Sequence, residues 1–219
     1  MICKFQGVSA EMLIDRADDA GEIFWFPSHD RGGVDMNVGS PIVILGTPRS
    51  GTSMTASIFA AHGVWYGSGR EADLFNPRGY YENPHLREWR LGSNTAPLPV
   101  VLEHDGYEGG PWLVKHTPRY WEVWRNLDPT YILVRRPLEA SARSSAPLYD
   151  QSKVKRMQVA REDNKIMDRV KRRAHRVAEV FTDEVAKGKF LSIAAAFKKA
   201  GLEFDPRLAE QVVEPELWH

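Results

Sequence analysis

"GTPRSGTS", residues 46–53, follows directly on the apolar run "PIVIL" (41–45) and leads into a helical stretch. A glycine-bearing turn between a buried strand and a helix aims backbone N–H groups at one point, and the helix dipole adds partial positive charge there. An anion is the expected occupant. The spacing of Gly46, Gly51 and Ser53 matches the phosphate-loop pattern G-x-x-x-x-G-K-[ST], yet Thr52 stands where an ATP-splitting loop carries its lysine. A cation enters three residues earlier, as Arg49, and Thr52 and Ser53 add hydroxyl donors. The plainer alternative is a turn that only caps a helix; the strand before it and the helix after it weigh against that.

Working outward, strand and helix signals alternate. "IVIL" is a short continuous apolar run of the buried parallel type, and "SGTSMTASIFAAHG" reads as a helix stopped by Gly63. "WLVKH" is a second strand leading into a helix from Pro118, and "TYILVRR" a third leading into "PLEASARSS". This alternation predicts an α/β fold with a parallel sheet. Residues 151–181 read as one long helix, with Ile166, Val170, Ala174, Val177 and Phe181 as its apolar stripe. Ten Lys or Arg against three Asp or Glu fall between Gln151 and Val177, either a solvated helix face or a basic wall beside an anionic ligand. "FLSIAAAFKKAG" is a further helix, followed by "LEFDPRL" and a final segment ending in Trp218.

The chain has 219 residues, enough for one substantial domain with a small appendage. Residues 1–40, with a helix expected over 9–20, a strand at "EIFWF" and a Gly- and Pro-rich loop after it, are assigned to the appendage, and 41–219 to the α/β domain. Twenty-nine basic residues balance twenty-nine acidic ones, so no global field points to nucleic acid or a membrane. A single cysteine, Cys3, forms no intrachain disulfide, and no long apolar stretch or leader pattern stands out. The expected setting is soluble and cytoplasmic.

A metal-assisted ATP enzyme also needs an acidic residue at the end of another apolar strand. The candidate strand "TYILV" ends instead in Arg135 and Arg136, which repel a metal and attract a second anionic group. Two anion sites with no carboxylate between them suggest a nucleotide held without metal. On these residues the chain resembles the PAPS-dependent sulfotransferases, which move a sulfuryl group from 3′-phosphoadenosine 5′-phosphosulfate (PAPS) to an acceptor. The likeness is to bacterial-type members and runs from about residue 41 to the end; "NPRGYYEN", "WLVKHTPRY" and "AAAFKKAGLEFDP" also resemble segments of that family. It implies a three-layer parallel sheet with flanking helices, the P-loop-NTPase-like sulfotransferase fold, with PAPS as co-substrate, adenosine 3′,5′-bisphosphate as product and no metal. By this resemblance Arg49, Ser50, Gly51, Thr52 and Ser53 bind the 5′-phosphosulfate. Arg135, two residues before Pro137, binds the 3′-phosphate with a serine of the next helix. The family's serine position, six after the proline, holds Arg143 here, so Ser144 is favoured, with Ser141 and Arg143 as alternatives.

Sulfuryl transfer to a hydroxyl or amine requires a group that takes the acceptor's proton, a role in which histidine lies nearest the required pKa. His116 ends the "WLVK" strand just before Thr117 and Pro118, at the edge where open α/β sheets bind ligands, and the His-x-Pro arrangement is similar to the family's catalytic histidine segment. Strand neighbours face opposite sides, so only one of Lys115 and His116 points into the cleft. Other members use a glutamate after the first helix, for which Glu82 and Glu71 are candidates. Arg49 and Lys115 are candidates to stabilise charge on the bridging oxygen as sulfur departs. For each, the plain reading is an ordinary polar residue. The aromatic residues Trp65, Tyr66, Tyr80, Tyr81, Trp89 and Trp112 suit an acceptor pocket for sugars or ring compounds and suit a core equally well. The expected acceptor is a small molecule or glycan. A P-loop small-molecule kinase and a non-catalytic nucleotide-binding module are the competing functions.

Overall fold

A computed structural model of the chain describes residues 38–69, 72, 76, 79–146 and 152–214. The expectations for residues 9–20, for "EIFWF" and for Cys3, Glu71 and Trp218 lie outside the described residues, as does nearly all of the 1–40 appendage.

Three apolar runs become the strands β1 (Ile42–Leu45), β2 (Leu113–His116) and β3 (Thr130–Arg135). A fourth, β4 (Val177–Phe181), joins them, and among the described residues the sheet has the order β2-β1-β3-β4, parallel throughout. Parallel strands are covered on both faces, which is why they read as continuous apolar runs. Ile42, Ile44, Ile132 and Val134 face one layer, formed by α1 (Thr52–Ala61), α7 (Leu191–Lys199) and α8 (Pro206–Val212). Val43, Leu45, Tyr131 and Leu133 face the other. That layer holds α2 (Pro84–Leu91), α3 (Leu98–His104), a 3-10 helix (Pro118–Leu127) and α5 (Lys153–Arg173). Two short helices, α4 (Leu138–Ser145) and α6 (Thr182–Val185), follow the ends of β3 and β4. The parallel α/β sheet is the one the strand and helix alternation predicts, and its three layers are those the resemblance implies.

Two expectations need correction. The helix from Pro118 has 3-10 geometry and is interrupted at Tyr120, where φ is -102° and ψ 16°. The long helix does not reach Phe181: it ends at Arg173, Ala174 turns to an extended ψ of 145°, and residues 177–181 pair with β3. Val177 and Val180 are β-branched and meet the open edge of β3, and that tertiary pairing overrides a helical spacing carried by only two or three residues. Much of the basic stretch is the exposed face of α5, where Arg161, Lys165, Arg169 and Arg172 lie outward while Met167 and Val170 are buried. No helix among the described residues is long and apolar enough to cross a membrane.

β1 connects to β2 on one side, and the chain then crosses back to β3 on the other. The carboxyl ends of β1 and β3 therefore flank the point where the connections part, where a crevice opens in this class of sheet. The loop 46–53 leaves from one of these ends and Arg135 and Arg136 from the other.

Candidate active site

The loop is built by restraint at several of its positions. Gly46 has no room for a side chain: a Cβ would meet Ser50 Oγ at 2.5 Å and Thr52 Cγ2 at 2.6 Å. Ser50 N–H then donates to Thr47 O (3.1 Å), closing a turn with Pro48 second and Arg49 third. Arg49 has φ +65°, the left-handed region that the third position of a type II turn demands and that normally selects glycine. An arginine there carries strain of about 1 kcal/mol, a cost met mostly at functional sites. Gly51, at φ 93°, begins α1 with no side-chain cap and no acidic residue in the first turn. The first N–H groups of the helix are thus not capped by a side chain, and they face the loop.

Thr182 of α6 locks the loop to the end of β3, its hydroxyl lying 2.7 Å from Ser50 O and 3.0 Å from Arg135 O. Ser50 itself is fully buried, and its Oγ finds no partner among the described residues. Such an orphaned hydroxyl beside a cradle too tight for a Cβ suits an anion held against the backbone.

Strand alternation sends Lys115 and His116 of β2 to opposite faces. Lys115 points to the loop side: Nζ donates to Ser53 Oγ (3.2 Å) and pairs with Glu82 Oε1 (2.9 Å). Asn76 Nδ2 also donates to Ser53 Oγ (3.0 Å), and the Tyr80 ring lies 5.9 Å from Lys115 Nζ. Lys115 is 5% exposed at its side chain and Glu82 38%, so the carboxylate stands at the mouth and the ammonium beneath it. Tyr81, just before Glu82, is a second non-glycine residue at positive φ (52°), so the base candidate also follows a constrained backbone.

His116 turns the other way, against Trp124 and Tyr120. Its Nδ1 lies 2.8 Å from Thr117 O, which only accepts, so Nδ1 carries the proton. The Nε2 lone pair accepts the Trp124 indole N–H at 2.6 Å. Burial, then the Arg90 charge, push the imidazole down to about 3. Both ring nitrogens of His116, a candidate base, are thus committed to protein partners on the face of β2 opposite Lys115.

The same alternation separates the two arginines at the end of β3. Arg135 is turned to the α5 side, where Nε donates to Glu179 (3.1 Å), Nη1 to Asn164 (2.6 Å) and Nη2 to Asp168 (2.6 Å). Arg136 takes the loop side, since Nη1 donates to Arg49 O (3.0 Å). Its pKa is lowered, first by burial and then by Arg49 and Arg143, with Asp183 opposing. Arg49 Nε donates to Ser144 Oγ at 3.1 Å, which brings the favoured serine to the loop's cation. Ser141, by contrast, is 1% exposed and faces inward, and Arg143 is exposed. The structure brings Arg49, Ser53, Lys115, Glu82, Arg136 and Ser144 around one loop, and the His116 and Arg135 side chains leave it. Of the aromatic residues weighed for an acceptor pocket, Trp89 and Trp112 are core; Tyr66 and Tyr81 pack together at 4.9 Å near the site.

With this geometry in hand, solved structures give a consistent comparison. The sulfotransferase domain from the Synechococcus PCC 7002 olefin synthase matches with a TM-score of 0.57 at 16% identity, over 82% of this chain and 87% of that one. The sulfotransferase domain from the curacin biosynthetic pathway matches with 0.54 at 16%, over 78% and 76%. Sulfotransferase STF1 from Mycobacterium tuberculosis H37Rv matches with 0.50 at 12%, over 80% and 71%. No protein-family model and no curated protein sequence matches the chain. At these identities the likeness is one of fold: the chain has the P-loop-like α/β fold of sulfotransferase domains.

Proposed function

We propose that the protein is a sulfotransferase that moves a sulfuryl group from PAPS to a hydroxyl or amine of a small-molecule or glycan acceptor, in line and without a metal. The observation that carries the reading is the junction at Ser53, where one buried lysine touches the phosphate loop and the carboxylate of Glu82 at once. The donor supplies the sulfuryl group and departs as adenosine 3′,5′-bisphosphate. Arg49, Ser50, Gly51, Thr52 and Ser53 hold the 5′ end of the donor through N–H groups, hydroxyls and one guanidinium. Arg136, Ser144 and the exposed Arg143 take the 3′-phosphate, in place of the Arg135 that the sequence pattern nominates.

Glu82, in place of His116, accepts the acceptor's proton as the new O–S or N–S bond forms and the bridging S–O bond breaks. Lys115 and Arg49 neutralise the charge that collects on the bridging oxygen, the form of stabilisation that counts most in a dry site. A P-loop kinase would need a cation at position 52 and a carboxylate at the end of β3, and these positions hold Thr52 and Arg135. Calorimetric titration with adenosine 3′,5′-bisphosphate, against ATP with magnesium, separates the two readings. A screen of acceptors with labelled donor then identifies the acceptor.

A further inference from the structure

Glu82 stands at the mouth of the site, yet the residue after it is buried and bonded on both sides of its amide. Asn83, 4% exposed, caps α2 through Oδ1, which accepts Leu86 N–H (3.0 Å). Its Nδ2 donates to Asp105 Oδ2 (2.5 Å) and to Tyr66 O (3.4 Å). Asp105 is the residue that ends α3, and its side chain is nearly buried. Oδ2 also accepts Ser68 N–H (3.0 Å), and His85 Nε2 lies 3.7 Å from Oδ1. Capping a helix needs one side-chain oxygen, which serine or aspartate would supply as well as asparagine. What the Asn83 amide adds is a link to a carboxylate at the end of another helix, and withdrawing that carboxylate from water has a cost. The chain at 66–68 is shaped around the link: Gly67 lies at φ +77°, and a Cβ there would overlap both Asn83 Nδ2 and Asp105 Oδ2. Tyr66 in turn packs its ring on Tyr81, the residue before Glu82.

We propose that Asp105 is a positioning residue for Glu82: by holding the Asn83 amide it fixes the backbone from which the Glu82 side chain reaches Lys115. Glu82 leaves the chain between two restrained neighbours, Tyr81 at φ 52° and Asn83 at the start of α2. Its Oε1 lies 2.9 Å from Lys115 Nζ although the side chain is 38% exposed. A carboxylate that exposed, on an unrestrained segment, would spread over many rotamers. A base misplaced by about 1 Å can lose roughly a hundredfold in rate, so the buried link serves the exposed group. That Glu82 is the base rests on the proposed function; the link from α3 to the Lys115–Glu82 pair does not.

The test uses acetic anhydride as probe, with acetylation of Lys115 read by mass spectrometry against the exposed Lys189 of the same sample. In the wild type the Lys115 side chain is 5% exposed beneath the carboxylate and should react slowly, while Glu82→Ala sets the rate with the carboxylate gone. Asp105→Ala cuts the link at α3, and Asn83→Ser cuts it at α2 while keeping an oxygen to cap Leu86 N–H. Each should raise Lys115 labelling about tenfold, as loss of one charge-assisted bond implies, and the double variant should go no further. Asp105→Asn, which keeps an oxygen for both N–H donors, should label like the wild type. Affinity for adenosine 3′,5′-bisphosphate should stay within about threefold of the wild type in the Asp105 and Asn83 variants, since neither residue bonds to the loop 46–53. Should Asp105→Ala fail to fold, Asn83→Ser decides alone. Slow Lys115 labelling in the variants that cut the link, fast labelling in Asp105→Asn, or equal labelling of the wild type and Glu82→Ala would overturn the proposal. Absence of wild-type bisphosphate binding would overturn the donor assignment instead, and the labelling comparison would still decide the role of Asp105.

Discussion

Replacing Arg49 should separate folding from binding, because its backbone and its guanidinium serve different ends. At φ +65° an Arg or Ala side chain is strained where glycine is not, so Arg49→Gly should be more stable than Arg49→Ala by about 1 kcal/mol. For a domain of this size that is a difference of about 2–4 °C in melting temperature. Both variants lose the guanidinium and with it the bond to Ser144 (3.1 Å), so comparing them with each other cancels that loss. Binding should behave differently: two charge-assisted hydrogen bonds to the 5′-phosphate are worth about 3–4 kcal/mol together, a loss of roughly a hundredfold to a thousandfold in affinity. Melting by calorimetry and titration with adenosine 3′,5′-bisphosphate read the two quantities on the same preparations. Equal melting of the two variants, or binding by either within about threefold of the wild type, would refute these roles for Arg49.

The remaining expectations concern single groups. Glu82→Gln should lower turnover by about 10²- to 10⁴-fold with donor-product binding retained, whereas His116→Ala should melt lower, through loss of the Trp124 bond, and turn over normally once folded. Arg136→Ala should weaken binding of the bisphosphate by at least about tenfold, and Arg135→Ala should change stability more than affinity, since its partners Asp168, Glu179 and Asn164 are structural. Acid titration should show opposed slopes. His116, depressed from 6.5 to about 3, contributes stability that is present above pH 6.5 and lost as pH falls toward 3. Asp163, raised from 3.8 to about 6, disfavours the fold above pH 6 and ceases to do so as pH falls through its native value. Asp163→Asn should therefore melt higher than the wild type at pH 7.5 and lose stability more steeply between pH 6 and 4, as followed by melts across that range.

The loop and its strand were legible because several local signals agree there: an apolar run, glycines at fixed spacing, and a helix that starts where the second glycine stands. The same density of signals made β2 and β3 readable. β4 was hidden because its valines continue the spacing of α5, and only the open edge of β3 decides the matter. α2 carries its own start and stop, since Asn83 caps Leu86 N–H, Pro84 is its first residue and Gly92 ends it at φ 78°, signals that a reading for apolar periodicity passes over. At the site, residue types were read more securely than directions. "KH" and "RR" each offer two groups at adjacent strand positions, and alternation guarantees that one of each pair faces away without saying which. Lys115 and Arg136 took the loop side.

In the proposed function, the loop 46–53 and the end of β3 together hold a bisphosphorylated adenosine nucleotide. Titration of the wild type with adenosine 3′,5′-bisphosphate, without added magnesium, tests it most directly. Binding is expected at about ten micromolar or tighter, about −7 kcal/mol or better, with weaker binding of ATP even with magnesium. Tight, magnesium-dependent binding of ATP together with no detectable heat from the bisphosphate would contradict it.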